Sequence, residues 1–143
     1  MSLNVKEIIA RPLVSISSEG TVLEASRLMV ENNLGLLVIC DPTGSRIRGV
    51  VSERDIIRSV ASGKDAMIRV EAISTPTVVT VKWNSEIAEA AKAMNKHRIR
   101  HVVVLDDANQ PIGVVSMRDL VGERSTLRAI LQSHDREVFA GGD

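Results

Sequence analysis

The chain repeats itself, and this limits its fold more than any other feature. Val5-Lys6-Glu7-Ile8 and Ile16 recur as Val70-Glu71-Ala72-Ile73 and Val81, residue numbers differing by 65. Val22-Leu23-Glu24-Ala25 and Met29 recur at the same displacement as Ile87-Ala88-Glu89-Ala90 and Met94. Leu34-Gly35-Leu36-Leu37-Val38 falls on Ile99-Arg100-His101-Val102-Val103. Gly49-Val50-Val51-Ser52-Glu53-Arg54-Asp55-Ile56 matches Gly113-Val114-Val115-Ser116-Met117-Arg118-Asp119-Leu120 at a displacement of 64, so the loop after Asp106 is one residue shorter than the loop after Asp41. Self-similarity of this period marks two copies of one supersecondary unit. A unit of about 60 residues hides too little apolar surface to stand alone, so the copies must dock about a pseudo-twofold axis.

Within each copy the local signals run strand, helix, strand, strand, helix. Val14-Ser15-Ile16 and Val78-Val79-Thr80-Val81 are short β-rich runs after Pro12 and Pro76. Thr21 and Glu24 have capping-box spacing, and Val22, Ala25 and Met29 share one helical face. Ile87, Ala90, Ala91 and Met94 repeat that stripe. Leu36–Cys40 and Val102–Leu105 are unbroken apolar runs, the signature of strands buried on both faces. Asp41-Pro42-Thr43-Gly44 has the order of a type I turn and leads into the return strand Ile47–Val51. The spacing predicts a mixed α/β fold (α+β) of two βαββα repeats, residues 3–62 and 68–124, packed through their sheets. Ser62-Gly63-Lys64-Asp65 is the expected break, and residues 125–143 are expected to form a C-terminal helix and tail around Leu127, Ile130 and Leu131.

Composition removes several function classes. Eighteen basic residues balance eighteen acidic ones, which disfavours a nucleic-acid partner, since such proteins carry a basic excess over their footprint. Trp83 and Phe139 are the only aromatic residues, so no stacking platform for bases can be built. Cys40 is the only cysteine, which excludes an internal disulfide and a multi-cysteine zinc site and points to a reducing, cytoplasmic setting. No apolar run approaches the roughly 18 residues needed to span a bilayer, so no membrane association is expected. Gly-x-Ser-x-Gly, His-Glu-x-x-His and Walker-type signatures are all absent, so the expected role is not enzymatic, with neither a catalytic cofactor nor a metal.

The doubled unit, closed in both copies by Gly-Val-Val-Ser-x-Arg-Asp, resembles a tandem cystathionine-β-synthase (CBS) domain pair, the Bateman module, over residues 3–124. The resemblance implies a regulatory module that binds AMP, ADP or ATP in clefts between the repeats and pairs into a disc-like homodimer acting on some downstream protein partner. It also implies that the motif aspartate grips the ribose hydroxyls while the motif serine bonds ribose or phosphate. The main cleft is then expected to hold Asp119 and Ser116, with Arg118, Arg100 and His101 as phosphate contacts and Ile9, Val14, Leu34, Gly35 and Val114 around the base. The second cleft is expected to hold Asp55, Ser52 and Arg54, with Ser74, Val79, Ile99 and Val50 around the base. An ionised carboxylate can accept from two vicinal hydroxyls at once, and an arginine fork suits phosphate oxygens. Two other outcomes are carried alongside: a sensor of S-adenosylmethionine, and a scaffold that binds no small ligand.

Other readings of the same residues stay open on sequence alone. Ser52-x-x-Asp55 and Ser116-x-x-Asp119 are also ordinary capping boxes, which leave one carboxylate oxygen unused. Lys96, His97 and Arg98 suit a solvated helix end, where cations complement the dipole. For each apolar cleft residue plain core packing is the commoner explanation.

Overall fold

The computed structural model describes residues 3–9 and 13–121. The first repeat contributes β1 (Ser15–Ser17), α1 (Val22–Asn32), β2 (Leu36–Cys40), β3 (Ile47–Ser52) and α2 (Glu53–Ala61). The second contributes β4 (Thr80–Lys82), α3 (Ile87–His97), β5 (His101–Leu105), β6 (Pro111–Ser116) and α4 (Met117–Val121). Short 3-10 turns, Val5–Ile8 and Val70–Ile73, precede them. Each repeat builds a three-stranded sheet in chain order, its first pair parallel and its second antiparallel. The expected mixed α/β architecture is therefore present. The expected C-terminal helix of residues 125–143 lies outside the described residues.

The middle strands carry the core. Leu37, Val38 and Ile39 of β2 and Val102, Val103 and Val104 of β5 are buried, as continuous apolar runs require when both faces of a strand are covered. Helix α1 lays Val22, Ala25 and Met29 on its sheet; α3 lays Ala90 and Met94 on the other. The Asp41 turn forms, with Gly44 N–H donating to the Asp41 carbonyl at 2.9 Å and Gly44 at φ 78°. Asn109, at φ 60°, closes the shorter second loop onto Asp106. The strand expected over Val78–Val81 begins only at Thr80: Val78 and Val79 lie outside the ladder, although the Val79 carbonyl accepts from Val103 N–H at 3.0 Å.

The two repeats exchange their leaders. Val70, in the turn that opens the second repeat, is fully buried in the core of the first, with Ala25, Met29 and Leu37. Val5, which opens the first repeat, is fully buried in the core of the second, with Ala90, Met94 and Val102. Backbone pairing fixes both crossings: Val70 N–H donates to the Gly20 carbonyl at 2.7 Å, and Val5 N–H to the Ser85 carbonyl at 2.9 Å. Each core thus needs a segment of the other copy, so neither copy is complete without its neighbour.

A third crossing borders the cleft. Val50 on β3 and Thr75, just beyond the second leader, exchange two backbone hydrogen bonds of 2.9 Å. Gly49 permits this approach, because a Cβ there would lie 2.7 Å from the Thr75 carbonyl oxygen. Gly49→Ala is therefore expected to destabilise the protein by about 1–3 kcal/mol, the usual effect of overpacking against backbone. Urea unfolding of the variant against the unsubstituted protein measures it.

Candidate nucleotide cleft between the repeats

Both motif serines and aspartates cap helices. Ser52 N–H donates to Asp55 Oδ2 at 2.9 Å, and Asp55 N–H to Ser52 Oγ at 3.2 Å. Ser116 and Asp119 reproduce the box at 2.8 and 3.1 Å. Among the described residues no hydrogen bond falls on Oδ1 of either aspartate, so each cap leaves one carboxylate oxygen for other work. Helix starts are tied to strand starts in the same way twice, Glu53 N–H to the Gly35 carbonyl at 2.9 Å and Met117 N–H to the Arg100 carbonyl at 2.7 Å.

A cavity of about 350 Å³ opens between the repeats beside Asp55. Of the residues expected in the Asp55 cleft it gathers Val50, Ser52, Arg54, Val79 and Ile99. Gly35, Arg100 and His101, expected beside Asp119, line this same cavity. Ser74 does not line it: its hydroxyl donates to the Glu71 carbonyl at 2.9 Å, and Thr75, Thr77 and Val78 supply that wall. Arg58 and Arg98 also line it, though sequence reasoning gave neither a ligand role. A signal for Arg58 was present, since it lies one helical turn beyond Arg54 and Asp55. A smaller cavity of about 160 Å³ adjoins, sharing Asp55 and Arg58 and adding Lys64.

Around Asp119 the arrangement differs. Ile9 packs on the second core and against Gly113, where a Cβ would meet its side chain at 2.8 Å. Val14 and Leu34 pack on the first core, Val114 is half-buried on β6, and Arg118 is exposed. The sequence counterparts of Thr75 and Thr77 here are Ala10 and Pro12, outside the described residues.

His101 stands where the repeats meet. Its Nε2 would be 3.2 Å from a Cβ on Gly35, with Glu53 Oε1 only 3.5 Å from that same point. Glycine at position 35 makes room for the imidazole. Burial holds the His101 pKa below its ordinary value of 6.5, opposed by the Glu53 and Asp119 carboxylates and reinforced by Arg100 and Arg118. A histidine depressed in the native state binds fewer protons there than when unfolded, so stability falls as pH drops from about 6.5 toward the native pKa. His101→Asn is expected to flatten that part of the stability–pH curve, seen by urea unfolding between pH 5 and 7.5, with little change above 7.

Among the described residues no cluster of three or more His, Cys, Asp or Glu is arranged to hold a metal, and no helix is long and apolar enough to cross a membrane.

The comparisons agree with this architecture. The CBS domain pattern matches residues 5–62 and 70–125. A CBS domain protein of Pyrobaculum aerophilum, solved in complex with AMP, superposes with a TM-score of 0.82 at 34% identity, covering 91% of this chain and 99% of that one. The CBS domain pair of protein MJ0100, solved with 5-methylthioadenosine and S-adenosyl-L-methionine, superposes with a TM-score of 0.79 at 26% identity, covering 87% and 98%. An uncharacterised 17.7 kDa protein of Acidianus ambivalens is 32% identical over 134 residues, 94% of this chain and 77% of the relative. Doubled motif, exchanged leaders and sequence match together place this chain in the CBS domain family, as a tandem pair of repeats.

Proposed function

We propose that the protein is a regulatory, non-catalytic module that binds an adenosine nucleotide in the cleft beside Asp55. The observation that carries this is the convergence, in one cavity, of a carboxylate with an unused oxygen, several arginines and an aliphatic slot drawn from both repeats. In this reading Asp55 accepts from the ribose hydroxyls, Val50, Val79 and Ile99 flank the base, and the arginines hold phosphate. The AMP complex of the Pyrobaculum aerophilum relative supports it. A ligand touching both repeats favours one relative arrangement of them, and moves that equilibrium only by its differential affinity for the two states.

The weight of the proposal rests on the Asp55 cleft because Arg100 and His101 line it; the site around Asp119 and Ser116 is proposed as a weaker second position. The protein would act in the cytoplasm, consistent with its lone cysteine. It would act as a homodimer, for which exposed Ile57 and Val60 on α2 and Val121 on α4 offer apolar surface. The alternative ligand, S-adenosylmethionine, is favoured by the complex of the MJ0100 pair.

Thermal unfolding with AMP, ADP, ATP and S-adenosylmethionine tests the reading. A bound ligand at 100 times its Kd adds about 2.7 kcal/mol, which raises the midpoint by roughly 10 °C for a chain of this size. A rise with any nucleotide supports the proposal. A rise with S-adenosylmethionine alone replaces it with the alternative, and flat curves with all four leave a scaffold.

A further inference from the structure

The charge in the Asp55 cleft exceeds what one phosphate group needs. Arg54 and Arg58 of α2 come from the first repeat, and Arg98 and Arg100, between α3 and β5, come from the second. The acidic residues lining the cavity are Glu53 and Asp55. Among the described residues the ion pairs are Arg48–Glu71 and Arg69–Glu71, so none of the four cleft arginines has a carboxylate partner. Lys64 extends the cationic surface into the adjoining cavity past Arg58.

The matching positions of the other copy do not repeat this accumulation. By sequence position the counterparts of Arg54, Arg58, Arg98 and Arg100 are Arg118, Gly122, Asn33 and Gly35, one cation in place of four. Arg98 also sits in a left-handed conformation, φ 54°, at the end of α3, where α1 ends on Asn33 at φ 53°. Asparagine tolerates that conformation better than arginine. The second repeat therefore carries arginine where its own backbone is better served by asparagine.

We infer that the Asp55 cleft selects a nucleoside carrying a chain of two or three phosphates, which threads between the arginines of the two repeats toward Lys64. This rests on the nucleotide reading above and narrows it. Four guanidinium groups face one cavity with two carboxylates, Glu53 and Asp55, neither of them ion-paired to an arginine. The excess positive charge favours an anion, and each added phosphate brings further charge-assisted bonds. S-adenosylmethionine, with its sulfonium cation, is disfavoured by the same field.

Isothermal titration without divalent cations tests this, using adenosine, AMP, ADP, ATP and S-adenosylmethionine. ADP and ATP should bind at least about tenfold more tightly than AMP, as expected for one further charge-assisted bond, and lose affinity more steeply with added salt. Arg98→Asn should erase most of that preference, leave adenosine affinity within about twofold, and raise the melting temperature of the ligand-free protein. Arg100→Gln should erase the preference as well. AMP binding as tightly as ADP and ATP, or S-adenosylmethionine binding more tightly than either, overturns the inference while leaving a ligand in the cleft. Failure of adenosine and all three nucleotides to bind overturns the nucleotide reading itself.

Discussion

Val70→Asp unfolds the protein, whereas Val30→Asp leaves it folded. Val70 is fully buried in the core of the first repeat although it belongs to the second, while Val30 on α1 is 81% exposed. An unpaired carboxylate forced into an apolar core costs several kcal/mol, comparable to the whole stability of a small domain. The same charge on an exposed helical face costs about 1 kcal/mol or less. Far-UV circular dichroism with urea titration separates the two. Val5→Asp should act like Val70→Asp through the opposite core, because Val5 fills the second repeat as Val70 fills the first. A cooperative, native-like transition in Val70→Asp would mean that the leaders are not exchanged as described.

Asp55→Ala is expected to lower nucleotide affinity by at least about 100-fold, while Asp119→Ala changes it little. Two charge-assisted hydrogen bonds from the ribose hydroxyls are worth about 1.5–3 kcal/mol each, so losing both exceeds two decades. Asp55 is also a helix cap, and its loss should weaken the ligand-free fold by about 1 kcal/mol. Asp119 makes the same cap with nearly the same geometry, 2.8 Å to Ser116 N–H against 2.9 Å to Ser52 N–H. The pair is thus matched in its structural consequence and differs in its surroundings. Titration calorimetry, with thermal unfolding of both ligand-free variants as the control, reads the two effects separately. Equal affinity losses in both variants would assign the ligand equally to both clefts.

Much of the fold is legible in the residues because repetition doubles every local signal. The apolar runs of β2 and β5, the stripes of α1 and α3 and the Ser-x-x-Asp caps each appear twice, and all form. The leader exchange was not legible: Val5 and Val70 read as ordinary apolar residues, and nothing local states which core they enter. The late start of β4 has a similar cause, since Val78 and Val79 have strand-forming side chains but run beside the cleft outside the ladder. For the site, the motif identified the capping pairs. Which cleft receives Arg100 and His101 depends on how the strand starts meet across the seam, where His101 occupies space left by Gly35. Arg98 read as a solvated cation because helix ends commonly carry them, and Arg58 was not singled out; only the packing of one repeat against the other brings both to a shared cavity.

A crystal structure of the protein with ADP tests the central claim most directly. The account predicts ribose hydroxyls about 2.6–2.9 Å from Asp55 Oδ1, the base between Val50 and Ile99, and the phosphates among the arginines of both repeats. ADP bound away from that cavity, or a ribose out of reach of Asp55, would contradict it.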